Sequence, residues 1–300
     1  MELEQVPAKT MLSRTKSSAW FGYDYTLNLY RGCCHGCIYC DSRSACYQVE
    51  DFDRVRCKKD ALPILEKELR SKRLHGVIAT GAMSDPYNPF ERELCLSRGA
   101  AELIARYGFG MAVTTKSSLV VRDIDLFRQI GERAPMLCKL TITTCDDALC
   151  RKIEPHVSVS SARFAAVEAL AKAGIFTGVL MTPVLPFLED TEDNVRGIVR
   201  AAADCGAKFV YALFGMTLRQ NQRDWYYRKL EQQFPGQGLS ARYRQRYGDR
   251  YSCQSPRAKQ LYALFRRECD RYGLLYRMQD INAAYRGAHL PVQQSFLYYL

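Results

Sequence analysis

Short apolar runs recur six times between residues 25 and 214, and this alternation constrains the fold more than any other feature. The runs are 25–30, 75–81, 110–115, 136–144, 176–182 and 209–214. Stretches of helical period fall between them, at 62–74, 94–107, 123–130, 161–173 and 193–205. In the first, Leu62, Leu65 and Leu69 share one stripe and Pro63 sits in the opening turn. Asp123 is placed to cap the third, and Gly174 and Gly206 follow the last two. Six strand-helix units predict an α/β chain with a parallel sheet covered by helices. Periodicity alone leaves two architectures open, a partial barrel and a flat doubly wound sheet.

The first run leads into Tyr30-Arg31-Gly32-Cys33-Cys34-His35-Gly36-Cys37-Ile38-Tyr39-Cys40, which holds four cysteines in eight residues. Cys33, Cys37 and Cys40 are separated by three and then two residues, on a loop loosened by Gly32 and Gly36. Such a loop can wrap a metal centre. Thiolates suit both zinc and iron-sulfur clusters. Zinc in a structural site normally takes four protein ligands, whereas three cysteines would hold three irons of a four-iron cluster and leave the fourth open for chemistry. Cys34 and His35 lie outside the spacing and read as bystanders. The chain has thirteen cysteines, but Met1 to Gln5 carry no basic-then-apolar leader, so the thiols read as reduced and the protein as cytoplasmic. The longest apolar stretch, 174–188, is too short for a bilayer and is broken by Pro183 and Pro186, so no membrane span is expected.

The C-x3-C-x2-C spacing with an aromatic residue before the last cysteine resembles the signature of radical S-adenosylmethionine enzymes. Asn28-Leu-Tyr-Arg-Gly-Cys and His-Gly-Cys-Ile-Tyr-Cys resemble the branch related to spore photoproduct lyase. The resemblance covers about residues 8–215 and implies a partial (β/α)6 TIM-type barrel. It also implies a 4Fe-4S cluster on Cys33, Cys37 and Cys40 that binds S-adenosyl-L-methionine. An external electron donor of flavodoxin or ferredoxin type and a 5′-deoxyadenosyl radical that abstracts hydrogen complete the implied chemistry.

Polar residues at the strand ends are the matching candidates for cofactor contact. These are Gly81 and Ser84 after the second strand, Lys116 after the third, Thr141 and Thr143 on one face of the fourth, and Glu154 beyond it. Tyr39 is placed beside the cluster, and Pro183 to Pro186 by the adenine. Asp85 and Tyr87 are candidates for substrate contact. The match breaks at two positions. The related lyases carry a cysteine hydrogen donor where this chain has Ala82, and a tyrosine where it has Asp41. Both departures strike the return of hydrogen to a repaired thymine.

Residues 1–20 are polar, lack firm periodicity and read as an arm; 21–215 form the core and 216–300 a second, mostly helical module. That module carries fifteen Lys and Arg against six Asp and Glu, net +9, and eleven of the nineteen tyrosines. Helical stripes are expected at 225–234 and 258–272. Interleaved basic and aromatic residues, Arg242, Arg244 and Arg246 among them, suggest a nucleic-acid partner. A nucleic-acid-binding protein with a structural or redox-sensing cluster is therefore the alternative to an enzyme, and a thymine-dimer lyase is a further one.

Overall fold

The computed structural model describes residues 3–287 and His289; residues 290–300 of the expected module lie outside it. Six strands form a parallel sheet: β1 (Tyr25–Leu27), β2 (Val77–Thr80), β3 (Gly110–Thr115), β4 (Met136–Thr141), β5 (Thr177–Met181) and β6 (Phe209–Ala212). They neighbour one another in chain order without reversal. A doubly wound sheet reverses its strand order at a switch point, so this topology is the barrel type. The sheet stops at β6 on one side and at an antiparallel strand, Leu12–Arg14, on the other. The result is a partial (β/α)6 barrel.

Both faces of the strands are covered. All six residues of β4 are buried, as expected of parallel strands between a core and a helical layer. One face meets the helices, where Ile78, Val113, Leu140 and Val179 pack with Leu65, Ile104, Phe127 and Val167. On the other, Ala79, Ala112, Leu137, Leu180 and Phe209 surround Phe21 and Tyr23. Small residues make that interior possible. A Cβ on Gly178 would stand 2.5 Å from the Phe209 ring.

The expected elements appear with ends shifted by one to a few residues, and four differences have clear causes. Run 25–30 divides: β1 ends at Leu27, and Tyr30–Arg31 joins a separate three-stranded sheet with Arg56–Lys58 and Gln5–Val6. Residues 1–20, expected as an arm, thus supply strands to both sheets. Their backbone is tied further by Glu68, which accepts from Met11 N and Leu12 N. Asp123 does not cap its helix. Its carboxylate accepts from Arg98, Arg122 and Tyr87 instead. Short helices at Asp147–Ile153 and Leu239–Tyr247 were too polar to show a stripe.

The C-terminal segment is fastened to the barrel. Helix Ala258–Tyr272 lies on helix Glu192–Asp204, with Arg196 bonded to Glu268. Val210 N donates to Leu275 O at 3.0 Å beside β6. Helices Gln222–Gln233 and Leu239–Tyr247 bring Tyr226, Tyr227, Tyr243 and Tyr247 against Cys37, Ile38 and Tyr39.

Lys139 lies inside the barrel on β4, fully buried, and among the described residues its ammonium has no hydrogen-bond partner. It rests 4.9 Å from the Phe21 ring centre and 4.8 Å from that of Tyr23. Burial pushes it down to about 7. A fall from about 10.4 to that value corresponds to roughly 5 kcal/mol, of which the rings return about 2. The unfolded chain binds the extra proton between these two values, so this group's penalty is full below pH 7 and fades as pH rises toward 10.4. Lys139→Met is therefore expected to stabilise the protein by roughly 2–4 kcal/mol at pH 7, and by much less near pH 10. Urea denaturation at the two pH values measures this; an equal gain at both would contradict it.

Candidate active site

The cysteine loop crosses the C-terminal mouth of the barrel, and its shape depends on glycine. Gly32 has φ +80°, and a Cβ there would meet Arg54 O at 2.3 Å. Gly81, at the end of β2, has φ +86° and would meet Thr114 O at 2.0 Å. Only glycine allows backbone this close. Ser84 then fixes the two loops together by donating to Gly32 O at 2.6 Å.

Cys33, Cys37 and Cys40 line one cavity of about 100 Å³ together with Gly81, Ala82, Ser84, Asp85, Lys116 and Thr141. Among the described residues, no three His, Cys, Asp or Glu side chains converge tightly enough to hold a single metal ion. The thiols instead share a wall. Three soft donors on one loop facing a common space fit an iron-sulfur cluster with one open iron. Burial pushes Cys33 up to about 12 and raises Cys37 and Cys40, with Lys116 pulling the last two back down. Lys116 itself would be lowered by burial, but Cys37 and Glu154 more than offset this and keep it charged.

A second cavity, about 580 Å³, is lined by Tyr39, Asp41, Thr182, Pro183, Phe214, Met216, Ser252 and Gln254, and it shares Cys40 and Lys116 with the first. The barrel mouth therefore offers a thiol-lined recess beside a chamber large enough for a small-molecule ligand, with Cys40 and Lys116 on the wall of both.

Behind the thiols lies a buried ion pair. Arg163 Nη2 is 2.5 Å from Glu154 Oε2, and the two side chains are 0% and 1% exposed. Glu154 also accepts from the Tyr39 hydroxyl. Arg163 reaches Thr141 O at 2.7 Å and Ser158 O at 2.6 Å. Burial pushes the Glu154 carboxyl up, and Arg163 and then Lys116 outweigh it, holding it below the usual carboxylate range. Glu189, from the loop after β5, makes no ion pair among the described residues, and Arg163 offsets its burial only in part. Burial raises it well above the ordinary range, with Leu185 N donating to it at 2.9 Å.

The structure brings Cys33, Cys37, Cys40, Gly81, Ser84, Asp85, Lys116 and Thr141 to the recess and Tyr39 to the chamber. Other expected residues are placed differently. Glu154 stands behind Tyr39, and Thr143 is buried away from either lining, beside Glu189. Tyr87 is a core side chain, 1% exposed, whose hydroxyl donates to Asp123 at 3.0 Å. Asp85 lines the recess, but it accepts from Tyr87 N, Thr115 Oγ1 and Lys116 N. Its oxygens are committed to holding the ends of β2 and β3. His35 is no loose loop residue: it is buried, with Nδ1 3.6 Å from Asp85, and burial lowers it.

Several contributors had no sequence signal. Gln222, fully buried, donates to Tyr39 O at 2.9 Å and Thr217 O at 3.0 Å. Asp41 accepts from Arg219 at 3.0 Å, Tyr47 at 3.0 Å and Thr217 at 3.1 Å. The C-terminal segment thereby grips the cysteine loop on both sides of Cys40.

Residues 27–200, more than half of the chain, match the Radical SAM superfamily, and the chain belongs to it. Membership implies a 4Fe-4S cluster and S-adenosyl-L-methionine as cofactors. An uncharacterized protein of Mycobacterium bovis is 30% identical over 250 residues, covering 81% of this chain and 73% of its own. One from Methanocaldococcus jannaschii is 30% identical over 194 residues, covering 64% and 71%. Among solved structures, spore photoproduct lyase complexed with dinucleoside spore photoproduct superposes with a TM-score of 0.64, covering 89% of this chain and 79% of that chain at 18% identity. The fold is thus shared with spore photoproduct lyase. Among the described residues, no helix is long and apolar enough to cross a membrane.

Arg163→Met leaves Glu154 buried with its main counter-ion gone, and is expected to cost about 3–5 kcal/mol at neutral pH. In the wild type the depressed carboxyl contributes stability present above the ordinary carboxylate pKa, about 4.3, and lost as pH falls through its lower folded value. Without Arg163 burial drives that carboxyl up, so the deficit of the variant should shrink as pH falls toward 4. Denaturation midpoints of both proteins from pH 4 to 8 check this. A constant deficit would show that the pair is not electrostatically coupled.

Proposed function

We propose that this protein is a radical S-adenosylmethionine enzyme in which Cys33, Cys37 and Cys40 hold the 4Fe-4S cluster and the larger chamber receives the substrate. The observation that carries this reading is the junction of the two cavities at Cys40 and Lys116. A structural cluster needs no adjoining space of 580 Å³. When bound and reduced by a flavodoxin- or ferredoxin-type donor, the cluster supplies the electron that cleaves S-adenosylmethionine to methionine and a hydrogen-abstracting 5′-deoxyadenosyl radical.

The residues of the chain bind and orient. Lys116 projects a positive charge into the junction and pairs with the carboxylate of the methionine moiety. Thr141 and the backbone near Gly81 line the recess beside it. Asp85 acts through β3, since it accepts from Lys116 N and so sets where the lysine begins. Tyr39 closes one wall of the chamber, held by Glu154 at its hydroxyl and Gln222 at its carbonyl.

The reaction departs from that of a thymine-dimer lyase. Ala82 lines the recess with a methyl group that offers no transferable hydrogen. Asp41 is occupied with Arg219 and Thr217. The lyase that shares this fold holds a dinucleoside photoproduct. A nucleic-acid substrate fits the +9 charge of 216–300, and restoration of thymine from that photoproduct is not expected.

Three measurements test the proposal. Anaerobically reconstituted wild-type protein should hold about four irons and Cys37→Ala should lose the cluster spectrum; a full cluster in the variant would refute the ligand set. With dithionite, the wild type should release 5′-deoxyadenosine. Lys116→Met should weaken S-adenosylmethionine binding about 10- to 100-fold, the worth of one charged hydrogen bond. Unaltered binding would remove Lys116 from the site.

A further inference from the structure

The chamber does not end at the barrel mouth. Its outer wall is the short strand Ser252–Gln254, paired antiparallel with Gly215–Thr217. Side chains alternate along a strand, so Ser252 and Gln254 face outward while Cys253 turns into the buried tyrosine cluster. Ser252 and Gln254 also line a third cavity, about 570 Å³, whose remaining walls include Arg246, Arg250, Lys259 and Tyr262. The two spaces meet across one strand.

The charge of this outer groove is one-sided. Three cations line it and no carboxylate does. Among the described residues, the side chains of Arg246, Arg250 and Lys259 make no ion pair, hydrogen bond or ring contact. Their neighbours are all engaged. Arg219 is paired with Asp41, Arg223 with Asp249 and Arg257 with Glu192. Arg242 lies 4.3 Å from the centre of the Phe187 ring and Arg244 4.5 Å from that of Tyr227. Of the basic run at 242–246, Arg246 is the one without a ring contact among the described residues. Like charges gathered in one groove repel one another, and here they stabilise nothing within the chain. An exposed aromatic ring, Tyr262, stands beside them at 44% exposure.

We propose that Arg246, Arg250 and Lys259 form a phosphate-binding limb of the substrate site. A substrate whose reacting part lies in the chamber crosses the Ser252–Gln254 strand and places a phosphate ester among the three cations. The inference rests on reading the chamber as the reaction site. Two sources supply this chemistry, a nucleotide within an oligonucleotide strand and a small phosphorylated metabolite.

The test uses the full-length reconstituted protein, with a fluorescein-labelled mixed-sequence DNA decamer and, separately, cytidine 5′-monophosphate as probes. The variant is Arg246→Gln/Arg250→Gln/Lys259→Gln, three exposed positions whose loss leaves the core intact; an unchanged thermal midpoint verifies this. The comparison is Arg228→Gln/Arg242→Gln/Arg244→Gln, which removes equal charge from the same segment. At about 50 mM salt the first variant should lose about tenfold or more in affinity, and its salt slope on the decamer should be shallower by about 2, for three single-strand phosphate contacts. The comparison should lose about twofold or less by the same electrostatic reckoning.

Decamer binding far tighter than monophosphate binding identifies a strand as the source. Comparable binding of both, lost together in the first variant, identifies a small phosphate ester. Equal losses in the two variants, or no binding of either probe by the wild type, overturns the limb. Release of 5′-deoxyadenosine by the wild type is scored separately. Its absence would defeat the enzymatic reading while leaving the assignment of the three cations to be judged on binding alone.

Discussion

The Glu154–Arg163 pair is the interaction on which the rest of the site depends. Two opposite charges with almost no exposure are costly unless their remaining hydrogen-bonding capacity is met, and here each bond that meets it fixes a working part. Glu154 takes the Tyr39 hydroxyl and so holds the cysteine loop. Arg163 takes the carbonyls of Thr141 and Ser158, holding the end of β4 and the turn before its own helix. The net negative field that remains at Glu154 helps keep Lys116 protonated beside the thiols. One buried pair therefore sets loop position, strand end and local charge together.

The C-terminal segment supplies the other half of the frame. Gln222 and Arg219 reach the residues on either side of Cys40, and the Gly215–Thr217 and Ser252–Gln254 ribbon walls the chamber. This explains Asp41 physically. A carboxylate after the last cysteine serves to bind Arg219 and Thr217, so that position is a point of attachment. A tyrosine there could not accept a charged guanidinium in the same way.

Fold class was legible because it is written in the recurrence of short apolar runs: β3 runs Gly110–Thr115 as its run indicates, and β4 is largely apolar on both faces apart from Lys139. The gathering of Cys33, Cys37 and Cys40 on one cavity wall was legible because their spacing is local. Contacts formed by distant residues were not. Arg163 lies in an alanine-rich helix that gives no hint of Glu154, and Tyr87 sits two residues beyond Asp85 yet turns into the core to meet Asp123. The polar stretch 1–20 hid its strands because two- and three-residue strands are too short to carry a period.

The arrangement of tyrosines follows from the proposed chemistry. A carbon radical takes hydrogen most readily from weak O–H and S–H bonds, so a chamber that must deliver it to one substrate position cannot expose such bonds at random. Among the described residues Tyr39 is the sole tyrosine lining the chamber, and its hydroxyl hydrogen is directed away into Glu154. The tyrosines of the C-terminal helices are numerous, but Tyr226 and Tyr243 bond to one another at 2.8 Å, Tyr243 also to Pro186 O, and Cys253 faces their cluster instead of the chamber. The ribbon face opposite Cys253 presents Gly215, Thr217, Ser252 and Gln254 to the chamber, with Met216 reaching its edge from the buried face. The alternation of a three-residue strand thus separates a hydrogen-rich aromatic core from the space where the radical would act.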